Sequence, residues 1–103
     1  MMIFKKIKKQ INDNPIILYM KGSPKHPKCG FSDKAVKIII LYKIKFTYID
    51  VLKNPDIRKF LPKYANWPTF PQLWINNKLI GGFDILYTLH KCKKLKNILK
   101  LKK

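Results

Sequence analysis

Cys29 is where the sequence concentrates its chemistry. It lies in Lys21-Gly22-Ser23-Pro24-Lys25-His26-Pro27-Lys28-Cys29-Gly30-Phe31-Ser32, after an all-apolar run from Ile16 to Met20 and before an apolar-faced helix. A thiol delivered to the first turn of a helix meets unpaired backbone N–H groups, which carry partial positive charge and favour an anion. Lys21, Lys25 and Lys28 add positive charge nearby. A free cysteine titrates near ~8.5, and such surroundings lower that value and supply thiolate at neutral pH. The alternative is a small buried cysteine, the commonest fate of the type; the loop position and the lysines favour the thiolate. Cys92 forms no C-x-x-C or paired ligand spacing with Cys29 and reads as structural. In a reducing cytosol a disulfide between them is not expected.

Two further places suit an anion. Arg58 is the only arginine in a chain that otherwise uses lysine, which suggests that its planar fork matters for a carboxylate. Gly82-Phe83-Asp84 reads as a helix start with free N–H groups. Asp84 suits a simple N-cap as well as a ligand contact. His26 and His90 read as surface residues, because no third group is arranged to orient either as the base of a Cys/His hydrolase. Trp67 and Trp74 read as core or wall.

These groups need a scaffold. Ile3, Phe4, Ile7 and Ile11 fall at helical spacing within residues 2–12, and Asp13-Asn14-Pro15 stops that helix. Ile16–Met20 predicts a central strand buried on both sides. The loop 21–28, with two prolines and a glycine, cannot be regular structure. A helix follows from about Gly30 to Tyr42, with Phe31, Ala35, Val36, Ile39 and Ile40 on its buried side and no glycine near Lys43 to take a left-handed cap. Phe46–Asp50 is a second strand, and strand–helix–strand implies a parallel pair with a right-handed connection. Asn54 as N-cap and Pro55 at the first position open a third helix, which Pro62 should kink or end. Trp67-Pro68-Thr69-Phe70-Pro71 is a stiff loop. Gln72–Ile75 and Lys78–Ile80 form a hairpin about Asn76-Asn77. A helix runs from Gly82 to about Lys91, and a last one, about Lys94 to Lys100, packs Leu95, Ile98, Leu99 and Leu101. The order α-β-α-β-α-β-β-α-α, with a cysteine after the first strand and a proline before the third, is the thioredoxin arrangement.

Composition narrows the class. The 103 residues bound the chain to one domain, residues 1–103, with a modest core. Hydrophobic residues at 47% are too many for a disordered chain. No apolar run approaches the ~20 residues of a membrane span, and the start, Met1-Met2-Ile3-Phe4-Lys5-Lys6, lacks the features of a signal peptide. The expected location is the cytoplasm. Lys and Arg total 23 against 5 acidic residues, a net charge of +18. Such a balance suits a nucleic-acid binder. The lysines are nevertheless scattered, and abundant Lys, Ile and Asn read as codon drift, so no specific nucleic acid and no membrane partner is expected.

Four motifs in register carry a resemblance. Lys21-Gly22-Ser23-Pro24, Cys29-Gly30-Phe31-Ser32, Trp67-Pro68-Thr69-Phe70-Pro71-Gln72 and Gly81-Gly82-x-Asp84 resemble the monothiol glutaredoxins of the C-G-F-S class. The likeness covers nearly the whole chain and is especially close to a single-domain bacterial form over residues 19–32 and 54–74. It implies an α/β fold of thioredoxin/glutaredoxin type, a four-stranded mixed sheet flanked by helices. It also implies glutathione as ligand, and a [2Fe–2S] cluster held by two chains and two glutathiones and passed to apo iron–sulfur acceptor proteins. A homodimer when cluster-bound, and pairing with a BolA-like protein, follow from the same resemblance.

Residue by residue, the resemblance makes Cys29 the reactive thiolate and cluster ligand. Arg58 meets the glycyl carboxylate of glutathione, and Lys21 meets a glutathione carboxylate and aids Cys29 electrostatically. Phe70-Pro71 matches the cis-proline step that presents the Phe70 backbone to an extended peptide, with Thr69 beside it. Gly82 and Phe83 offer helix-start amides to the γ-glutamyl carboxylate, and Asp84 takes its ammonium. The family often has cysteine where Phe83 stands, so a thiol role there is lost. Segment 24–28 is expected to orient glutathione so that cluster holding wins over fast exchange. Ser32 stands where dithiol relatives have a second cysteine, and a hydroxyl cannot resolve a mixed disulfide. The chain is therefore expected to be a cluster carrier with at most weak glutathione-dependent oxidoreductase activity. The alternatives are an enzyme that removes glutathione from protein mixed disulfides, and a binding module using the positive charge.

Overall fold

Strand β1, Ile16–Met20, is the axis of the molecule, and all five of its residues are buried. The computed structural model describes residues 2–100. Around β1 stand α1 (Met2–Asp13), α2 (Gly30–Leu41), β2 (Thr47–Asp50), α3 (Pro55–Ala65), β3 (Gln72–Ile75), β4 (Lys78–Gly81), α4 (Phe83–Lys91) and α5 (Leu95–Leu99). The four strands lie in the order β2-β1-β3-β4. β1 runs parallel to β2, with Ile17 opposite Thr47, and antiparallel to β3, with Leu18 opposite Leu73. β3 and β4 close the hairpin predicted from sequence, and Asn76 and Asn77 both take positive φ, at 50° and 69°. Two left-handed residues are what a tight hairpin turn demands, and asparagine tolerates them better than most residues.

Successive side chains of a strand point to opposite faces, and β1 therefore serves two cores. Ile16, Leu18 and Met20 pack with Ala35, Val36 and Ile39 of α2, Leu86 of α4, and Leu95 and Leu99 of α5. Ile17 and Tyr19 pack with Ile7 and Ile11 of α1, Ile57 and Leu61 of α3, and Trp74. A strand covered on both faces has no solvent side to show, which explains its unbroken apolar run. The Tyr19 hydroxyl stays satisfied by donating to Gln10 at 2.8 Å.

Several boundaries differ from expectation. On α2 the buried residues are Ser32, Ala35, Val36, Ile38 and Ile39, whereas Phe31 and Ile40 are 55% and 52% exposed. From Ala35 to Leu41 only Lys37 is polar, so hydrophobicity in this half leaves the rotation open; the hydrogen bond that draws Ser32 inward, described below, sets it. α2 ends without a glycine because Lys43 itself adopts φ 54°, its N–H donating to the Ile40 carbonyl at 3.0 Å. Pro62 does not end α3, which continues to Ala65. Proline forfeits one helical hydrogen bond, and the flanking Ile57 and Leu61 are fully buried. The stop comes at Asn66, left-handed at φ 53°. Asn54 occupies the N-cap position of α3 but makes no side-chain cap; its amide donates to the Asp50 carbonyl at 2.8 Å. β2 begins at Thr47, and α5 spans only Leu95–Leu99; the packing expected of Leu101 lies outside the described residues.

Candidate functional site

Cys29 is the N-cap residue of α2, with extended backbone at φ −150° and ψ 137°, and its thiol is partly exposed. Partial burial pushes the thiol up. That is outweighed by the nearby Ser32 and Phe31 N–H groups and Ser32 hydroxyl, which favour the thiolate although the thiol forms no cap hydrogen bond to the helix start, and by the charge of Lys21, so it titrates below its ordinary value. Both sources named from the sequence, helix-start amides and a lysine, lower it. Of the three nearby lysines, Lys21 is the one whose charge is felt most.

Ser32 is fully buried, a placement the sequence did not reveal. Its Oγ accepts from the Lys21 N–H at 3.1 Å while its hydroxyl faces the Cys29 sulfur. A hydroxyl carries one donor and two acceptor sites, so both bonds are compatible. One side chain ties the end of β1 to the thiolate.

The loop between β1 and Cys29 is more ordered than its prolines suggest. Ser23 and His26 exchange backbone hydrogen bonds at 3.2 and 3.0 Å, and the Lys28 N–H donates to the Lys21 carbonyl at 2.9 Å. Gly22 pairs with Pro27 across this small ribbon. Its φ is +91°, and a Cβ there would lie 2.5 Å from the His26 carbonyl oxygen. Asp50, at the end of β2, anchors the ribbon from behind: its Oδ1 accepts from the Gly22 and Leu52 N–H groups, both at 2.9 Å. Sequence reading missed Asp50; the usable signal was an Asp at a strand end, able to cap the amide two residues on. His26 is exposed, as expected.

Beside the thiol opens a cleft of about 420 Å³. Six predicted residues line it: Thr69, Phe70, Pro71, Gly82, Phe83 and Asp84. Phe31, Trp67 and Ile85 complete the wall. The Phe70–Pro71 bond is cis, and no backbone hydrogen bond among the described residues engages the Phe70 N–H or C=O. Cys29 sits in a separate shallow hollow with Pro27, Lys28, Gly30 and Asp33, two residues along the chain from Phe31 of the cleft wall. Lys21 and Arg58 line neither space. Arg58 is exposed on α3, without a carboxylate partner among the described residues.

The floor of the cleft is the start of α4. Gly82 is its N-cap and no side chain caps it, which leaves first-turn amides for a ligand anion. Asp84 lies in that turn but does not act as the cap. The other four acidic residues are engaged: Asp13, Asp33 and Asp56 pair with Lys9, Lys37 and Lys6, and Asp50 takes backbone amides. Asp84 alone is exposed without a lysine partner among the described residues. A Cβ on Gly82 would come within 3.1 Å of the Pro71 carbonyl oxygen and 3.7 Å of Trp67 Nε1, so glycine permits this close approach. Buried Gln72, also missed in the sequence, steadies the wall: its amide donates to the Trp67 carbonyl at 3.0 Å and it accepts from Trp74 Nε1 at 3.1 Å.

A family model for glutaredoxin matches residues 16–80, from the first residue of β1 to β4. The chain belongs to the glutaredoxin family. This glutaredoxin is 60% identical to glutaredoxin 4 of Haemophilus ducreyi over 92% of this chain and 89% of the relative. Glutaredoxin 4 of Buchnera aphidicola from Baizongia pistaciae is 61% identical over 96% and 92% of the two chains, and that of Escherichia coli K12 is 55% identical over 92% and 83%. Among solved structures, a truncated monomeric Trypanosoma brucei 1-C-Grx1 superposes with a TM-score of 0.85 at 30% identity, covering 97% of this chain and 91% of that one. Reduced poplar apo GrxS14 gives 0.77 at 34%, covering 90% and 85%. Within this glutaredoxin, Cys29 is the lone thiol of the C-G-F-S motif, since Ser32 fills its last position.

Two remaining residues depart from expectation. Cys92, read as structural, is exposed at the C-cap of α4. His90 is half-buried rather than a free surface residue. Its Nδ1 hydrogen-bonds the Tyr42 hydroxyl, with the two rings edge to face. The pair staples the end of α2 to the end of α4.

Proposed function

We propose that this glutaredoxin binds glutathione in the cleft and, as a pair of chains, carries a [2Fe–2S] cluster through Cys29 to apo iron–sulfur proteins, with a BolA-like protein as an alternative second chain. The observation that carries this reading is an acidified lone thiol beside an uncapped helix start. The cleft volume, about 420 Å³, falls in the ~300–1,000 Å³ range of small-ligand sites. Glutathione supplies a second thiolate when bound. The first-turn amides of α4 and Gly82 suit its γ-glutamyl carboxylate, Asp84 suits its ammonium, and the open Phe70 backbone with Thr69 suits its middle residue. Phe31, Phe83 and Pro71 exclude water from one side. Lys21 and Arg58 answer its glycyl carboxylate from beyond the cleft wall. Charge-assisted contacts contribute about 1.5–3 kcal/mol each before ordering costs.

The cluster is cargo, and the donor set fits a shared one. Among the described residues no three His, Cys, Asp or Glu gather into a metal site, so one chain contributes Cys29 alone. A cluster that requires sulfur ligands then draws on glutathione and a second chain. Anaerobic reconstitution with iron, sulfide and glutathione tests this. A coloured dimer from the native chain, and colourless monomer from Cys29→Ser, is the expected result; colourless monomer from the native chain overturns it.

The accessible, acidified thiol also supports a second reading, glutathione removal from protein mixed disulfides. The Cys29 thiolate attacks the glutathione sulfur, releases the protein thiolate and leaves a Cys29–glutathione disulfide. A second glutathione thiolate then restores Cys29 and leaves as glutathione disulfide. Robust turnover of a glutathionylated peptide by apo-protein favours this enzyme; near-zero turnover favours the carrier.

A further inference from the structure

A row of aromatic rings leads away from the cleft along α4. Phe31 and Phe83 stand 5.9 Å apart, and Phe83 and Tyr87 5.7 Å. Phe31 and Tyr87 remain 55% and 46% exposed, and Ile85 beside them 41%. Water-exposed apolar groups gathered at one place mark a surface built for contact. Lysines rim it: Lys34 Nζ lies 5.8 Å from the Phe83 ring centre, and Lys91 Nζ 5.9 Å from that of Tyr87.

We infer that this ladder docks an acidic partner protein, one that presents an apolar side chain ringed by carboxylates. Three features choose that occupant. A second copy would set the same two lysines, on a chain of net charge +18, against each other, so charge opposes self-pairing of the apo-chain on this face, where no shared cluster bridges the two. Stacked nucleic-acid bases need ring faces laid out as open platforms, whereas here the rings meet at tilts of 35° and 36° and Lys34 and Lys91 lie over the Phe83 and Tyr87 faces. Rims of opposite charge, by contrast, steer and orient an encounter. The ladder is continuous with the site, because Phe31, Phe83 and Ile85 also line the cleft. A partner seated there holds its own groups next to Cys29. The inference rests on the carrier reading only for the nature of the cargo.

The test uses apo-chain without glutathione or cluster. Its probes are a short glutamate-rich peptide with a central Leu-Phe pair, the same peptide with lysine for glutamate, and single-stranded oligothymidine. Backbone amide shifts are followed at low and raised salt. The glutamate peptide alone is expected to bind, to shift amides over 31–34 and 83–91, and to weaken with salt. Tyr87→Ser and the pair Lys34→Glu with Lys91→Glu, all outside the cleft, each weaken it by roughly tenfold. Should one variant lose its circular-dichroism signature, the other carries the result. Equal binding of both peptides, no binding, shifts elsewhere, oligothymidine on the ladder, or self-pairing abolished by Tyr87→Ser overturns the inference. Cluster reconstitution is scored separately. Peptide binding by a chain that stays colourless overturns the carrier and leaves the docking face standing, and a coloured chain without peptide binding does the reverse.

Discussion

At the scale of single residues, Ser32 decides how the thiol behaves. A second cysteine at that position would offer a resolving thiol; serine instead spends its hydroxyl on Lys21 and Cys29. Ser32→Ala strands the Lys21 N–H and removes one donor from the sulfur. The unmet amide costs about 1–3 kcal/mol, read as a lower denaturation midpoint. Cys29 alkylation near neutral pH slows several-fold, and its titration moves up toward the free-thiol value. The sign on stability follows from the native direction. The folded thiol titrates below the unfolded one, so thiolate formation favours the folded chain. That contribution is complete above the unfolded value of ~8.5 and is lost as pH falls through the folded value. The stability-versus-pH curve of Cys29→Ser lacks this rise, and a parallel curve for the two proteins contradicts the assignment.

At the scale of elements, the ribbon 21–28 rests on one glycine. Gly22 combines positive φ with backbone atoms at 2.5 and 2.7 Å from a would-be Cβ, while nothing lies within 4 Å of one on Gly30. Gly22→Ala is expected to cost more than ~2 kcal/mol, and Cys29 alkylation should slow with it. Gly30→Ala stays within about 0.5 kcal/mol of the native chain. Equal melting shifts for the two would show that the ribbon gives way freely. The same contrast separates what the sequence makes legible from what it hides. β1, the Asn76-Asn77 turn and the uncapped start of α4 announce themselves through local rules of apolar run, turn residue and glycine pair. The rotation of α2, the continuation of α3 past Pro62, and the roles of Asp50 and Gln72 depend on partners distant in sequence. Ser32 meets Lys21 across a loop, and Asp50 meets Gly22 from another strand. Likewise Arg58 stands out in the sequence for its type, and type does not fix reach: it lies outside the cleft wall.

At the scale of the whole molecule, unbalanced positive charge governs both stability and association. Among the described residues three lysines are tied in exposed ion pairs, and such pairs contribute little each; the +18 left after every carboxylate is counted repels itself. Salt at ~0.15 M shortens the reach of these charges to about 8 Å. Relief of even ~1 kcal/mol of self-repulsion raises the melting temperature by about 4–8 °C in a domain of this size. Added sodium chloride should therefore stabilise the apo-chain, and an unchanged or falling melting temperature contradicts this. Association splits by the charge of the partner. The proposed cluster-bound pair sets two cationic chains side by side, so salt should tighten it in sedimentation runs. An acidic acceptor on the aromatic ladder is attracted, and salt should loosen that complex. On the proposed reading, low ionic strength weakens the hold on a twin chain while strengthening the grip on an acidic acceptor, a bias toward handing cargo on. Salt dependences of the same sign for both associations would remove charge as the director of that exchange.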